Sequence, residues 1–255
     1  MSTFLCLLRG RSARSDLLFQ TSDTTWHAYN GYGGYTTYGS FAYPFEHPPS
    51  GLAMNLSEAG HDLRRAYKRS YNTPLIVRDY RSINGPLANE YPAIRFLEKN
   101  GYDVHYASGA DMGVPARAAE LLAASRGYVS VGHDEYWSYE QREAVEAARD
   151  TGVHLNFWSA NEAYWAVRFE RSPFEASPAA DEPPRTLVCY KETQSLTKLD
   201  KRAGAWTGTF RDAREINPRG AMPENALTVR LASPTASSPR NHATRHATRH
   251  ATRHA

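Results

Sequence analysis

The residues best equipped for chemistry lie in one short stretch. His133, Asp134, Glu135, Tyr136 and Trp137 follow directly on the apolar run YVSV and Gly132. An imidazole, two carboxylates and two large aromatics crowd the point where a strand should turn. Unpaired buried carboxylates are strongly disfavoured, so the crowding asks for a bound partner. Phenols come from Tyr29 in TWHAYN and Tyr71 in YKRSYNTP. Phenolate is a hard anionic oxygen donor. Combined with a carboxylate it suits a hard, high-valent cation such as ferric iron better than zinc or copper. Other chemistries lack their parts. His-x-Glu is half of a zinc-deaminase signature, but Pro-Cys-x-x-Cys is absent, and there is no G-x-S-x-G nucleophile motif. The alternative is a structural turn in which His133 is a satisfied core residue.

The elements that must position these groups alternate. SDLLFQTS (Ser15–Ser22) reads as a buried strand entering a long Gly/Tyr loop, Asp23 to Tyr43. TPLIVRDY reads as a second strand. EYPAIRFLEKNG is an amphipathic helix stopped by Gly101. YDVHYA is a strand, Val114 to Ala124 a helix with Pro115 in its first turn, and GYVSV the strand that delivers the first cluster. Ser138 begins a capping box with Gln141, opening a helix that runs to Gly152. VHLNFW follows and delivers SANEAYW, which contains Asn161. Such alternation predicts an α/β fold with a parallel sheet flanked by helices. Right-handed crossovers place the strand-to-helix loops at one edge, where ligands bind in open α/β sheets. TSDTTWHAYNGYGG, GHDEYWS and SANEAYW therefore converge if their strands are neighbours.

Bulk properties narrow the function classes. The 255 residues are one domain's worth of chain, 41% hydrophobic, with a formal charge of +3. Arg230 to Ala255 holds five arginines and no acid, so the rest is near neutral and neither nucleic acid nor membrane is an expected partner. Cys6 and Cys189 are too few and too far apart for a disulfide framework. FLCLL is too short, and too soon followed by Arg9 and Arg11, for a signal peptide. No apolar run approaches spanning length, and a reducing, cytoplasmic setting is expected. Sixteen tyrosines are densest in HAYNGYGGYTTYGSFAY. Such a cluster lines a half-wet pocket or packs a loop on its own rings. Residues 15–228 are expected to form the domain, and 229–255, with its HATR repeat, a low-complexity disordered tail.

LLFQTSDTTWHAYNGYGGYTTY, IRFLEKNGYDVHY, GHDEYWSYEQREAVEAARDTGVHLNFWSANEAYWAVRFE and PEN carry a resemblance. From about Asp16 to Leu227 the chain resembles the C-terminal region of the large (β) subunit of N,N-dimethylformamidase. That resemblance implies a three-layer, flavodoxin-like fold related to class I glutamine amidotransferases, without their cysteine. It implies a mononuclear Fe(III) held by two tyrosinates and one glutamate. Carried over by motif, the ligands are Tyr29, Tyr71 and Glu135. The family's S-F-D-R-P-Y stands here as A-Y-K-R-S-Y, which leaves Tyr67 as the alternative to Tyr71. His133 and Asn161 match the implied catalytic positions. The implied reaction is hydrolysis of a small formamide-type amide, with iron as Lewis acid, Asn161 stabilising an oxyanion and His133 passing a proton to the leaving amine. Trp26, Trp137 and Trp165 are expected either to wall the site or to pack the core. A small-molecule amide is the expected substrate, and a small subunit or a second copy is compatible with the family. Relative to it the chain is expected to be shortened at both ends. The competing expectation is therefore an inactive relative, or one that binds a carbohydrate or protein partner in its cleft.

Overall fold

The computed structural model of the protein describes residues 14–39, 65–75, 85–172, 184–195 and 197–228. In chain order these form β1 (Ser15–Thr21), α1 (Asp23–Tyr29), β2 (Lys68–Ser70), α2 (Glu90–Lys99), β3 (Val104–Ser108), α3 (Gly109–Met112), α4 (Pro115–Ala123), β4 (Ser125–Gly132), β5 (Tyr136–Ser138), α5 (Tyr139–Asp150), β6 (His154–Ser159), β7 (Trp165–Glu170) and β8 (Thr186–Val188). Two sheets result. The first is parallel throughout, in the order β3-β1-β4-β6. The second, β2-β8-β7-β5, is antiparallel except where β5 meets β7. The fold is α/β.

Parallel strands bury both faces because their crossover helices cover them. Successive side chains of β1 accordingly enter different cores. Leu18 joins Tyr128, Leu121, Leu122, Trp137 and Val145, while Phe19 joins Leu97, Val104, Val129 and Val131. Leu18 is fully buried, and truncating such a residue to alanine costs ~2–5 kcal/mol. α5 begins where its cap was expected: the Ser138 hydroxyl accepts from the Gln141 N–H at 3.1 Å. α4 carries Pro115 in its first turn, and Gly101 follows α2 with φ +80°.

Three differences from the sequence reading matter. The loop expected from Asp23 begins as helix α1. Six of its seven residues are buried, so it lacks the one-sided apolar stripe that reveals a surface helix. YWS is strand β5 rather than part of a turn, and WAVRFE, unassigned from sequence, is β7. Both are built by the second sheet. Most of the strand expected in TPLIVRDY lies outside the described residues, as does the 229–255 segment. No described helix is long and apolar enough to cross a membrane.

Candidate active site

β1, β4 and β6 are neighbours, so the loops leaving their carboxyl ends meet. Gly132 ends β4 with φ +86°, and a Cβ there would come within 2.8 Å of Asn89 Cβ at the start of α2. Only glycine fits this close approach. Asp134, fully buried, then fastens the turn to the sheet. Its Oδ2 accepts from Gln20 Nε2 at 3.0 Å and Ser130 Oγ at 2.8 Å. Gln20 is itself held by Tyr128 and Gln141. Burial raises the Asp134 pKa well above the carboxylate range. The loop after β6 zips onto this turn: Ala160, Ala163 and Tyr164 N–H donate to the carbonyls of Gly132, Asp134 and Glu135 at 3.0–3.1 Å. Asn161 and Ala163 in that loop have φ of +59° and +50°, a backbone state that costs L-residues about 1–2 kcal/mol.

Glu135, 3% exposed, faces two phenols. Tyr29 Oη lies 2.8 Å from its Oε2, and Tyr38 Oη lies 2.7 Å from its Oε1. The two hydroxyls are 2.9 Å apart. Tyr29 is the last residue of α1. Thr25 of the same helix accepts the Glu135 N–H at 3.0 Å, and Thr24 donates to the Tyr136 carbonyl at 2.6 Å. Tyr38 arrives from the loop beyond α1, where the Thr37 N–H and hydroxyl both bond the Ala28 carbonyl. Burial, then the Glu135 charge, raises the pKa of each phenol well above 10. Both are therefore neutral donors to the carboxylate.

His133 Nε2 is 3.5 Å from Glu135 Oε2 and 3.2 Å from Asn161 Nδ2. As the neutral Nδ1–H tautomer it accepts from Asn161; protonated, it turns donor toward Glu135. The expected catalytic pair is thus side by side, against the carboxylate. Of the three expected metal ligands, Tyr29 and Glu135 meet. Tyr71 does not join them: its hydroxyl donates to Asp23 Oδ2 at 2.9 Å and its ring stacks on His27 at 4.0 Å. Tyr67 stacks instead on Tyr190 at 5.1 Å. The second phenol at Glu135 is Tyr38, whose sequence signal was the tyrosine-dense run itself. Of the three tryptophans, Trp137 packs in the main core against Tyr128 and Phe157, and Trp26 Nε1 bonds Glu90. Trp165 alone of the three lies against a group bordering the phenols.

That group is Lys191, which sequence reading missed. It is fully buried, with Nζ 3.4 Å from the Tyr38 ring centroid and 4.0 Å from that of Trp165, and it donates to Tyr136 Oη at 2.6 Å. Burial lowers its pKa to about 7, against the opposing pull of Glu135. Its neighbour Glu192 accepts the N–H groups of Leu199, Asp200 and Thr207 at 2.8–2.9 Å. Those bonds fix the turn in which Lys191 takes φ +50°. When protonated, the lysine sets a positive charge against the Tyr38 ring, which favours ionisation of that phenol.

Among the described residues, no group of three or more His, Cys, Asp or Glu is placed to hold a metal. A metal here depends on the phenols. The donor set of two phenols and a carboxylate, mutually within 2.7–2.9 Å, fits a hard trivalent cation.

The fold and the cluster define an α/β protein with a buried two-tyrosine, one-carboxylate centre at the carboxyl edge of its parallel sheet. The family model described as N,N-dimethylformamidase β subunit-like, C-terminal, matches residues 2–250, and the chain belongs to that family. The comparison with curated proteins gave no match.

Proposed function

We propose that the protein is an iron-dependent hydrolase of a small, formamide-type amide, with Tyr29, Tyr38 and Glu135 as the metal-holding set. The amidotransferase-like ancestry of the fold belongs to the same reading. The observation that supports it is the meeting of two phenol oxygens and a carboxylate beside His133 and Asn161. When bound, the ion supplies Lewis acidity toward an amide carbonyl and toward water. The chain supplies the rest. Asn161 Nδ2 is a preformed donor for the oxyanion of a tetrahedral intermediate, held rigid by the zipped loop. His133 takes the proton of the attacking water and returns it to the departing amine, a task suited to imidazole near neutral pH. Lys191 offsets the negative charge that two phenolates and a carboxylate bring together. Trp165 and Tyr136 close the inner side of the site against water.

The test is metal content and visible spectrum of the purified protein, followed by assays over several small amides. The expected result is one iron per chain, a tyrosinate–iron(III) absorption band and release of amine. Metal-free protein that binds no added ferric ion sinks the reading. Because both phenols are neutral without metal, uptake must release protons, and loading should strengthen as pH rises.

A further inference from the structure

We propose that Arg69 is a positioning residue for the two phenols. Its guanidinium holds the chain between α1 and Tyr38 in the conformation that brings Tyr38 Oη beside Tyr29 Oη. The inference rests on the iron reading above and extends it to a residue outside the donor set.

Arg69 lies on β2, paired with Leu187 of β8, and is only 7% exposed. Its Nε donates to the His27 carbonyl at 3.2 Å. One terminal nitrogen donates to Tyr35 O at 2.8 Å, and the other to Asn30 O at 2.8 Å and Tyr32 O at 3.1 Å. All of these partners are backbone carbonyls. They belong to the C-terminal turn of α1, where carbonyls carry the negative end of the helix dipole, and to the loop beyond it. A buried cation satisfied in this way does not neutralise an acid; it fixes the path of a main chain. That path needs fixing. The loop passes Gly33 and Gly34, both with positive φ and with open space around them, and such residues hold no conformation by themselves. Arg69 brackets them by gripping the carbonyls at 30, 32 and 35. Past the grip, Thr37 closes onto Ala28, and Tyr38 is the next residue. The planar five-donor fork of arginine matches this set of acceptors; lysine's point charge does not.

The experiment is Arg69→Ala in the full chain, titrated with ferric ion. Expected is a folded protein whose ferric affinity falls by about tenfold or more, the effect typical of losing an outer support of a metal ligand. The tyrosinate band should weaken with it. Free guanidinium ion, added far below denaturing concentration, should restore both by filling the vacated space. Urea or sodium chloride at equal concentration should not, and Arg69→Lys should be intermediate. Wild-type affinity with an unaltered band in Arg69→Ala overturns the proposal. Should that variant not fold, Arg69→Gln takes its place under the same criterion. Hydrogen exchange judges the clamp without metal. The amides of Thr36, Thr37 and Tyr38, bonded to Gly39 O, Ala28 O and Thr36 Oγ1, should exchange faster in the variant while the sheet stays protected. Unchanged protection there overturns the clamp. If wild-type protein takes up no iron, the functional reading falls, and the exchange data still decide what Arg69 does.

Discussion

Among the described residues, two places set a buried tyrosine hydroxyl against a buried carboxylate, and their surroundings differ. At Asp23, Tyr71 is one of several donors; Thr21 Oγ1 and the Gly109 N–H complete the set. The only imidazole stacked there is His27, held neutral at a pKa of about 4 by burial and by Arg69. At Glu135 the donors are two phenols that also touch each other, and His133, Asn161 and Lys191 stand around them. Tyrosine plus carboxylate is therefore not what marks a site. The first is a strut: Asp23 ties α1 to Tyr71, just past β2, and to Gly109 at the start of α3. The second has paired, displaceable protons and neighbours able to exchange one.

The contrast is broken most directly by Glu135→Ala. It should abolish ferric binding, read as metal per chain, while the melting temperature stays near wild type. The phenols come next. Tyr38→Phe should eliminate most of the visible band and the bound metal, whereas Tyr71→Phe should leave both intact and cost only about 1 kcal/mol in denaturant unfolding. The reverse outcome would return Tyr71 to the metal and reduce Tyr38 to packing. Asn161→Gly, which suits the positive φ, should retain metal yet slow turnover by about 10²–10³-fold, the usual loss on removing one oxyanion donor. An unchanged kcat would remove Asn161 from the chemistry.

The smallest effect concerns stability alone. Burial raises Glu90 from 4.5 to about 8 although Ser22 N–H and Trp26 Nε1 donate to it. The folded state therefore keeps a proton that the unfolded chain has already released. Stability falls as pH rises from about 4.5 to 8. Glu90→Gln keeps an acceptor and removes the titration, so its melting temperature should vary less across that window. Parallel curves for the two proteins would show that Glu90 ionises as it does in water.

Much of the scaffold was legible because its signals are local. The apolar runs of β1, β4 and β6, the Ser138 cap and Pro115 each announce themselves within a few residues. Convergence of the three clusters then follows from the crossover rule without any knowledge of contacts. His133, Glu135 and Tyr29 were reachable by that route, and Asn161 through the family resemblance. Tyr38 was not, since its place depends on a loop folded back by an arginine from another sheet. Lys191 was hidden for a similar reason: β8 belongs to the second sheet, and nothing in YKET reveals that its lysine ends among the rings of Tyr38, Tyr136 and Trp165. Tyr71 stands apart from the position its motif implied because a motif fixes a place along the chain, while the direction of its hydroxyl is set by Asp23 at the start of α1.

Among the described residues, Asn161, Ala163 and Lys191 are the only non-glycine positions with positive φ; the first two lie in the loop zipped onto the turn that carries Glu135, and the third lies against the Tyr38 ring. Selection for heat resistance and selection for turnover would thus pull on the same few peptide units in opposite directions. A library screened only for survival at high temperature should accumulate glycine at 161 and drift toward proteins that endure but do little.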